Sequence, residues 1–507
     1  MTALSKDTTV AVIGAGAMGA GIAQVAATYG HSVLLFDNAP GAAEKGIAGV
    51  AAGLDKLVSR GKMEPSVRDA ILDRLTPVEQ LEELAAAKLV VEAIIENPEI
   101  KRQVFSRLES ICADDCILAS NTSSISITSL ATALERPQNF AGLHFFNPAP
   151  IMKLVEIVSG LDTDPAVAEC LHATASAWGK QAVHAKSTPG FIVNRLARPF
   201  YAEGLRLLEE GAADSATLDA LMREAGGFRM GPFELMDLIG HDVNYAVTRS
   251  VFDAYYGDGR FLPSLTQQAL VEGGRLGRKS GRGFYDYASE ATRPEPATLG
   301  AGDVAAAARI VVEGSLGVAD ALVTRLRSNG IEIVQRDGVG RIRVDDTLLC
   351  LSDGRMASER AAAEGCRNLV LFDLALDYAG CTRLGVAVAD QADENALAPV
   401  VALLNAAGIQ VSLLDDAPGL TVMRTVAMLA NEASDAVLQG VCSAADADTA
   451  MRFGVNYPRG PLAWAETIGI GLVHRTLTHL QQSYGEDRYR PSRLLRRKAF
   501  SGSPFHD

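Results

Sequence analysis

The chain has 507 residues, 48% of them hydrophobic and 21% charged, with a formal net charge of −14. That length implies several domains of roughly 100–200 residues each, with ample apolar material for their cores. The acidic balance argues against a nucleic-acid surface, and no apolar run approaches the roughly eighteen residues that a membrane span requires.

The first residues, MTALSKDTTVAVIGAG, lack the layout of a secretory signal and enter a strand almost at once. A cytoplasmic protein is the default expectation. The seven cysteines are scattered, and Cys112 and Cys116 have no second ligand pair near them, so neither a disulfide framework nor a metal site is expected.

Thr8–Ile13 is a β-rich run that feeds Gly14-Ala15-Gly16-Ala17-Met18-Gly19 and then a helical stretch. Gly14 permits a tight turn, Gly16 lets backbone approach a pyrophosphate, and Gly19 lets helix and strand pack closely. The helix N-terminus then offers free N–H groups to phosphate. A second apolar run, His31–Phe36, ends at Asp37, where an acid accepts a ribose 2′-hydroxyl and repels a 2′-phosphate. NAD is therefore expected as cofactor rather than NADP. In the helical region that follows, Arg60-Gly61-Lys62 reads as a charged helix end, with a nucleotide phosphate as the alternative use.

Lys88–Ile95 reads as a buried parallel strand ending at Glu96, and a helix carrying Lys101 follows. Cys116–Ala119 is another strand, ending in Ser120-Asn121-Thr122-Ser123-Ser124. Next, Ala141–Val158 runs A-G-L-H-F-F-N-P-A-P-I-M-K-L-V-E-I-V: a histidine leaves one apolar strand, and a second strand returns a glutamate. His144 and Glu156 are thus a candidate general base and its orienting carboxylate. Ligands of a doubly wound sheet sit at the carboxyl ends of its strands, which gathers Glu96, Ser123 and His144 around one crevice. Taken alone, Ser123 reads better as a helix N-cap before ITSLATAL; its place at a strand end makes the two readings even.

The motifs VIGAGAMGAGIAQVAA, LVVEAIIEN, ASNTSSISIT, GLHFFNPAPIMKLVEIV and STPGFIVNRL resemble, in order and spacing, the L-3-hydroxyacyl-CoA dehydrogenases. The resemblance is dense over residues 7–287. It implies that His144 is the catalytic base, Glu156 its partner, and Ser123 and Asn194 contacts to the substrate hydroxyl or thioester region. It further implies that Gly14, Gly16, Met18, Gly19, Asp37, Glu96, Lys101, Ser123, Asn147 and Lys279 line the NAD site. The family's CoA-contacting serine and lysine fall on Gly53 and Arg60; Gly53 supplies no hydroxyl and Arg60 keeps only the charge. The implied partner is an acyl-CoA thioester, and the long form resembles bacterial 3-hydroxybutyryl-CoA and 3-hydroxyadipyl-CoA dehydrogenases. The alternatives are a dehydrogenase of free β-hydroxyacids, which would rely on a lysine, and a non-catalytic NAD-binding protein.

Past Ser187-Thr188-Pro189-Gly190 the chain reads as helices up to Tyr287, and Ser289–Gly302 reads as a linker. Residues 304–416 again alternate apolar runs with helical stretches, which suggests a worn Rossmann-like unit. Matching Gly314 and Gly317 to Gly16 and Gly19 leaves Val312 for the first glycine and sets Glu313 beside the pyrophosphate, so no second NAD site is expected. Residues 424–469 repeat residues 195–240 without a gap: Arg195, Glu203, Asp219, Gly231 and Pro232 recur 229 positions later, while Asn194 becomes Met423.

The expected architecture is α/β. It comprises a doubly wound NAD-binding domain (1–187), an all-α domain (188–287), a linker (288–303), a degenerate Rossmann-like domain (304–416) and a second all-α domain (417–507). The helical copies suggest an internal pseudo-dimer, or a homo-oligomer formed through the same surface.

Overall fold

Continuous apolar runs with β-branched residues are what a parallel sheet buried on both faces requires, and the first third of the chain builds one. In the computed structural model, which describes residues 2–506, eight strands run in the order β3-β2-β1-β4-β5-β6-β7-β8. They are β1 Val10–Ile13, β2 Val33–Phe36, β3 Leu75–Val78, β4 Leu89–Glu92, β5 Ile117–Ser120, β6 Phe140–Phe145, β7 Leu154–Ser159 and β8 Gln181–Lys186. All neighbours are parallel except β6 and β7. Strand order reverses between β1 and β4, and the Ala17–Thr28 helix covers β1 with Ile22, Ala23 and Ala26 fully buried. Val10, Val12, Val33, Leu35, Leu89, Val91 and Leu143 form the core beneath it.

The chain divides into two compact units, Met1–Val193 with Gln439–Val455, and Asn194–Leu438 with Asn456–Asp507. The cut crosses the expected domain boundaries. The Ala444–Gly454 helix of the C-terminal repeat packs on β7 and β8 and so belongs to the first unit. No described helix is long and apolar enough to cross a membrane.

The second unit contains a seven-stranded sheet in the order β10-β9-β11-β12-β13-β14-β15. Its strands are β9 Arg309–Glu313, β10 Glu332–Arg336, β11 Arg341–Val344, β12 Thr347–Leu351, β13 Leu369–Phe372, β14 Arg383–Val388 and β15 Gln410–Leu413. The register here reveals a longer repeat than the side chains advertise. Gly142 faces Val158 across β6 and β7, and Leu371 faces Ala387 across β13 and β14; Leu154 faces Gln181, and Arg383 faces Gln410. Every one of these positions moves by 229, so the worn sheet and the helical copy are one continuous duplication from at least Gly142 onward.

The glycine match of the worn unit needs correcting. Gly14 follows β1, has φ +97°, and donates its N–H to Phe36 O at 2.8 Å. Gly314 follows β9, has φ +78°, and donates to Arg336 O at 2.8 Å. Gly314 is therefore the counterpart of Gly14, not Gly16, and Leu316 stands where Gly16 does. The Leu316 N–H is taken by Asp320 Oδ1 at 2.7 Å, so the chain's own carboxylate occupies an amide that a phosphate would use. Glu313, at the end of β9, is ion-paired to Arg341 and Arg343 of β11.

Within the second unit the two helical copies exchange ion pairs reciprocally. Arg195 donates to Glu432 at 2.6 Å, and its counterpart Arg424 donates to Glu203, the counterpart of Glu432, at 2.8 Å. That reciprocity is the mark of an isologous interface, here closed inside one chain. Each carboxylate takes a second arginine, Arg488 for Glu203 and Arg260 for Glu432. Burial pushes the Glu203 carboxyl up, but Arg488 and Arg424 outweigh it and hold the group at about 2.

Candidate active site

The turn after β1 is shaped by what cannot fit there. A Cβ on Gly14 would lie 2.5 Å from Ala93 O, and one on Gly19 would lie 1.7 Å from Gly14 O. A Cβ on Gly16 would meet nothing within 4 Å; that open side is the approach for a phosphate. The helix it opens has no side-chain cap and no acid in its first turn, leaving its N–H groups and positive dipole end for an anion. Asp37, one residue past β2, accepts the Ala15 N–H at 2.7 Å and the Ala39 N–H at 3.0 Å. Met18 is half-buried against the core. These residues fit a dinucleotide.

At the other side of the strand-order reversal, His144 and Glu156 are directly opposed on antiparallel β6 and β7, and His144 Nδ1 lies 2.7 Å from Glu156 Oε2. Both side chains are buried. Glu156 Oε1 accepts the N–H groups of Ile192 at 3.1 Å and Val193 at 2.9 Å. The preceding turn makes these amides available, because Gly190 (φ +75°) and Phe191 (φ +45°) are both left-handed and swing them toward the carboxylate. A carboxylate accepts at this contact, so Nδ1 is assigned the proton, and in the neutral ring Nε2 has the lone pair. Phe146 and Phe191 flank the ring at centroid distances of 4.5 and 5.8 Å.

A second polar cluster joins the ends of β4 and β5. Glu96 Oε1 accepts from Thr122 Oγ1 at 2.6 Å, the Ser123 N–H at 3.1 Å and Ser124 Oγ at 3.0 Å. Burial pushes the Glu96 carboxyl up, but Thr122, Lys101 and Ser124 together hold it below the usual carboxylate range. Lys101 is fully buried, with its ammonium between Glu92 at 2.5 Å and Glu96 at 3.2 Å. It therefore acts on the site through Glu96. Ser123 is exposed on the same loop, and Asn147 is exposed beyond β6.

Arg60 is exposed at the end of the Ala42–Ser59 helix, and a Cβ on Gly53 would meet nothing within 4 Å, so the helix has room for a hydroxyl that the sequence does not supply. Asn194, directly after Val193, opens the second unit and its carbonyl accepts from Arg198 Nε. Lys279 is also in the second unit, paired with Asp242 at 2.5 Å. Sequence reasoning brought His144, Glu156, Glu96 and Ser123 to one sheet edge. It missed Phe191 and the Ile192 and Val193 amides, although Pro189-Gly190 ahead of a helix was a signal for such a turn.

The duplication supplies an internal contrast. In the second unit the counterpart of His144 is Asp373 and that of Glu156 is Gly385. Asp373 accepts the Thr421, Val422 and Met423 amides, which correspond to those of Ile192, Val193 and Asn194. The turn is the same, with Gly419 and Leu420 both at positive φ. One carboxylate has replaced the pair: the amide cradle survives and the imidazole does not. Burial pushes Asp373 up to about 6 despite those amides.

Comparison with known proteins agrees with this geometry. The profile of the 3-hydroxyacyl-CoA dehydrogenase NAD binding domain matches residues 9–188, and that of the family's C-terminal domain matches 190–287 and again 419–504. A 3-hydroxybutyryl-CoA dehydrogenase reduced Rossmann-fold domain matches 349–418. The 3-hydroxyadipyl-CoA dehydrogenase of Escherichia coli K12 is 46% identical over 497 residues, 98% of each chain. The chain belongs to the 3-hydroxyacyl-CoA dehydrogenase family. The crystal structure of 3-hydroxybutyryl-CoA dehydrogenase from the same bacterium superposes with a TM-score of 0.89 at 45% identity, covering 98% of this chain and 100% of that one. The mitochondrial hydroxyacyl-coenzyme A dehydrogenase of Sus scrofa is 42% identical over 288 residues, 55% of this chain and 90% of its own. This dehydrogenase is thus an NAD-dependent oxidoreductase of 3-hydroxyacyl-CoA thioesters.

Proposed function

We propose that His144 removes the proton from the 3-hydroxyl of the acyl-CoA, that Glu156 positions it, and that the preferred acyl group is the dicarboxylic 3-hydroxyadipyl chain. NAD, bound at the Gly14–Gly19 turn, supplies the hydride acceptor. His144 Nε2 takes the hydroxyl proton, and the imidazolium that forms is stabilised by Glu156 on Nδ1. The Ile192 and Val193 amides hold Glu156 Oε1, which aims the other oxygen at Nδ1 and fixes the tautomer. Ser123 holds the substrate oxygen and Asn194 donates to the thioester region, while Phe146 and Phe191 exclude solvent from the imidazole.

The observation that carries the base assignment is the 2.7 Å contact between His144 and a glutamate whose other oxygen is already satisfied. It favours a histidine-based alcohol oxidation over the lysine-based chemistry of free β-hydroxyacid dehydrogenases. The acyl preference is supported by the match, over nearly the full length of both chains, to a relative named for 3-hydroxyadipyl-CoA. Initial rates of NADH formation across short, medium and dicarboxylic 3-hydroxyacyl-CoA substrates and the free acids test both. The highest kcat/KM is expected for 3-hydroxyadipyl-CoA, with no turnover of free acids. A higher kcat/KM for 3-hydroxybutyryl-CoA would overturn the acyl assignment, and efficient turnover of free acids the substrate class.

A further inference from the structure

Glu156 holds His144 in place only as well as β7 and the Ile192–Val193 turn hold Glu156, and both carry contacts from the C-terminal repeat. The Ala444–Gly454 helix packs across β7 and β8 in the first unit. Its approach is fixed at one end by the Lys186 N–H, which donates to Val441 O at 2.8 Å. At the other end Gly454 meets the supports of Glu156. A Cβ built on Gly454 would lie 2.6 Å from Leu154 Cδ2 and 2.9 Å from Val193 Cγ2. Leu154 opens β7 two residues before Glu156, and Val193 gives one of the two amides on Oε1.

The silent half of the duplication shows what this arrangement preserves. There the Ser215–Glu224 helix docks on β14 in the same way, with the Asp415 N–H donating to Ala212 O at 2.9 Å, both positions shifted by 229. Leu221 of that helix closes over Gly385, the counterpart of Glu156, at 3.2 Å from where a Cβ would stand. The counterpart of Leu221 on the Ala444–Gly454 helix is Ala450, which is fully buried. The silent half therefore sets a large helix residue over a bare strand position. At the corresponding positions the chemical half has a small helix residue, Ala450, and a glutamate, Glu156.

We propose that Ala450 and Gly454 are positioning residues for Glu156, so that the single active site is built from both copies of the duplication. Their missing side-chain volume leaves Glu156 room to keep two amides and the imidazole at once; added volume displaces Val193 and β7 and loosens that grip. The inference rests on the reading of Glu156 as the partner of His144.

The test uses the full chain with Gly454→Ala, Ala450→Leu, Glu156→Gln and, as a control in the silent half, Gly385→Ala, whose Cβ would meet Leu414 at 2.8 Å. Melting temperature, NAD affinity by calorimetry, kcat and its pH profile are measured for each. Gly454→Ala and Ala450→Leu are expected to lower kcat about tenfold or more. NAD affinity should be unchanged, and the acid limb of the profile should move to lower pH in the same sense as in Glu156→Gln. Adding Val193→Ala to Gly454→Ala should restore most of the lost kcat. Gly385→Ala should lower the melting temperature alone. If Gly454→Ala and Ala450→Leu behave like Gly385→Ala, the positioning inference is wrong while the base assignment stands. Glu156→Gln with parental kcat and profile would instead overturn the reading beneath it.

Discussion

Glu156 and Asp37 illustrate how a carboxylate's second oxygen decides its usefulness. Glu156 divides its two oxygens between the imidazole and the backbone, and its side chain is buried away from solvent. Asp37 braces the glycine turn through the Ala15 N–H and sets a negative charge at the end of β2, where a 2′-phosphate would have to sit. Asp37→Ser is therefore expected to lower the kcat/KM ratio of NAD to NADP by about tenfold or more, through loss of like-charge repulsion as well as of the ribose contact. Steady-state kinetics with both cofactors check this. An unchanged ratio would mean that Asp37 serves the turn only.

Among the elements, the reciprocal arginine–glutamate exchange sets the register of the two helical copies. Removing one partner of a buried pair leaves an uncompensated charge, at a cost of about 3–5 kcal/mol. Arg424→Ala should therefore destabilise the second unit by that order in denaturant unfolding, and Arg195→Ala by a similar amount. The acid dependence follows from Glu203, whose folded-state carboxyl is held at about 2 against a usual value of 4.5. A depressed carboxyl contributes stability that is present above about 4.5 and lost as pH falls toward 2. Glu203→Gln should flatten that acid limb. A parental limb in the variant would place the acid sensitivity elsewhere.

The same elements show what the sequence discloses. β1, β2, β4 and β5 were legible because parallel strands buried on both faces are continuous apolar runs, and the observed bounds differ by one to three residues. The helical repeat was legible over 195–240 because arginine, glutamate, glycine and proline recur where the interface and turns demand them. Upstream of it the duplication was hidden. Asp373 for His144 and Gly385 for Glu156 preserve strand register but no side-chain identity, and register shows only in paired strands. Gly314 was misaligned by two positions because a glycine-rich turn offers several glycines to match, and only the positive φ and the Arg336 contact select one.

Across the whole chain, the proposed chemistry lies in one half of a duplication whose other half has Asp373 and Gly385 in place of His144 and Glu156. A fragment ending at Tyr287 lacks Glu432, the Ala444–Gly454 helix and the worn sheet. It is expected to be active only where two fragments associate, and a fully active monomeric fragment would show that the C-terminal half is dispensable. One catalytic centre per chain is expected, and the full-length His144→Ala variant checks it, with NAD titrated by calorimetry and kcat measured on the same preparation. The expected result is one NAD per chain at parental affinity, with kcat lower by about a factor of 10² to 10⁴, the range of a lost general base. Two NAD per chain, or turnover that survives the substitution, would contradict it.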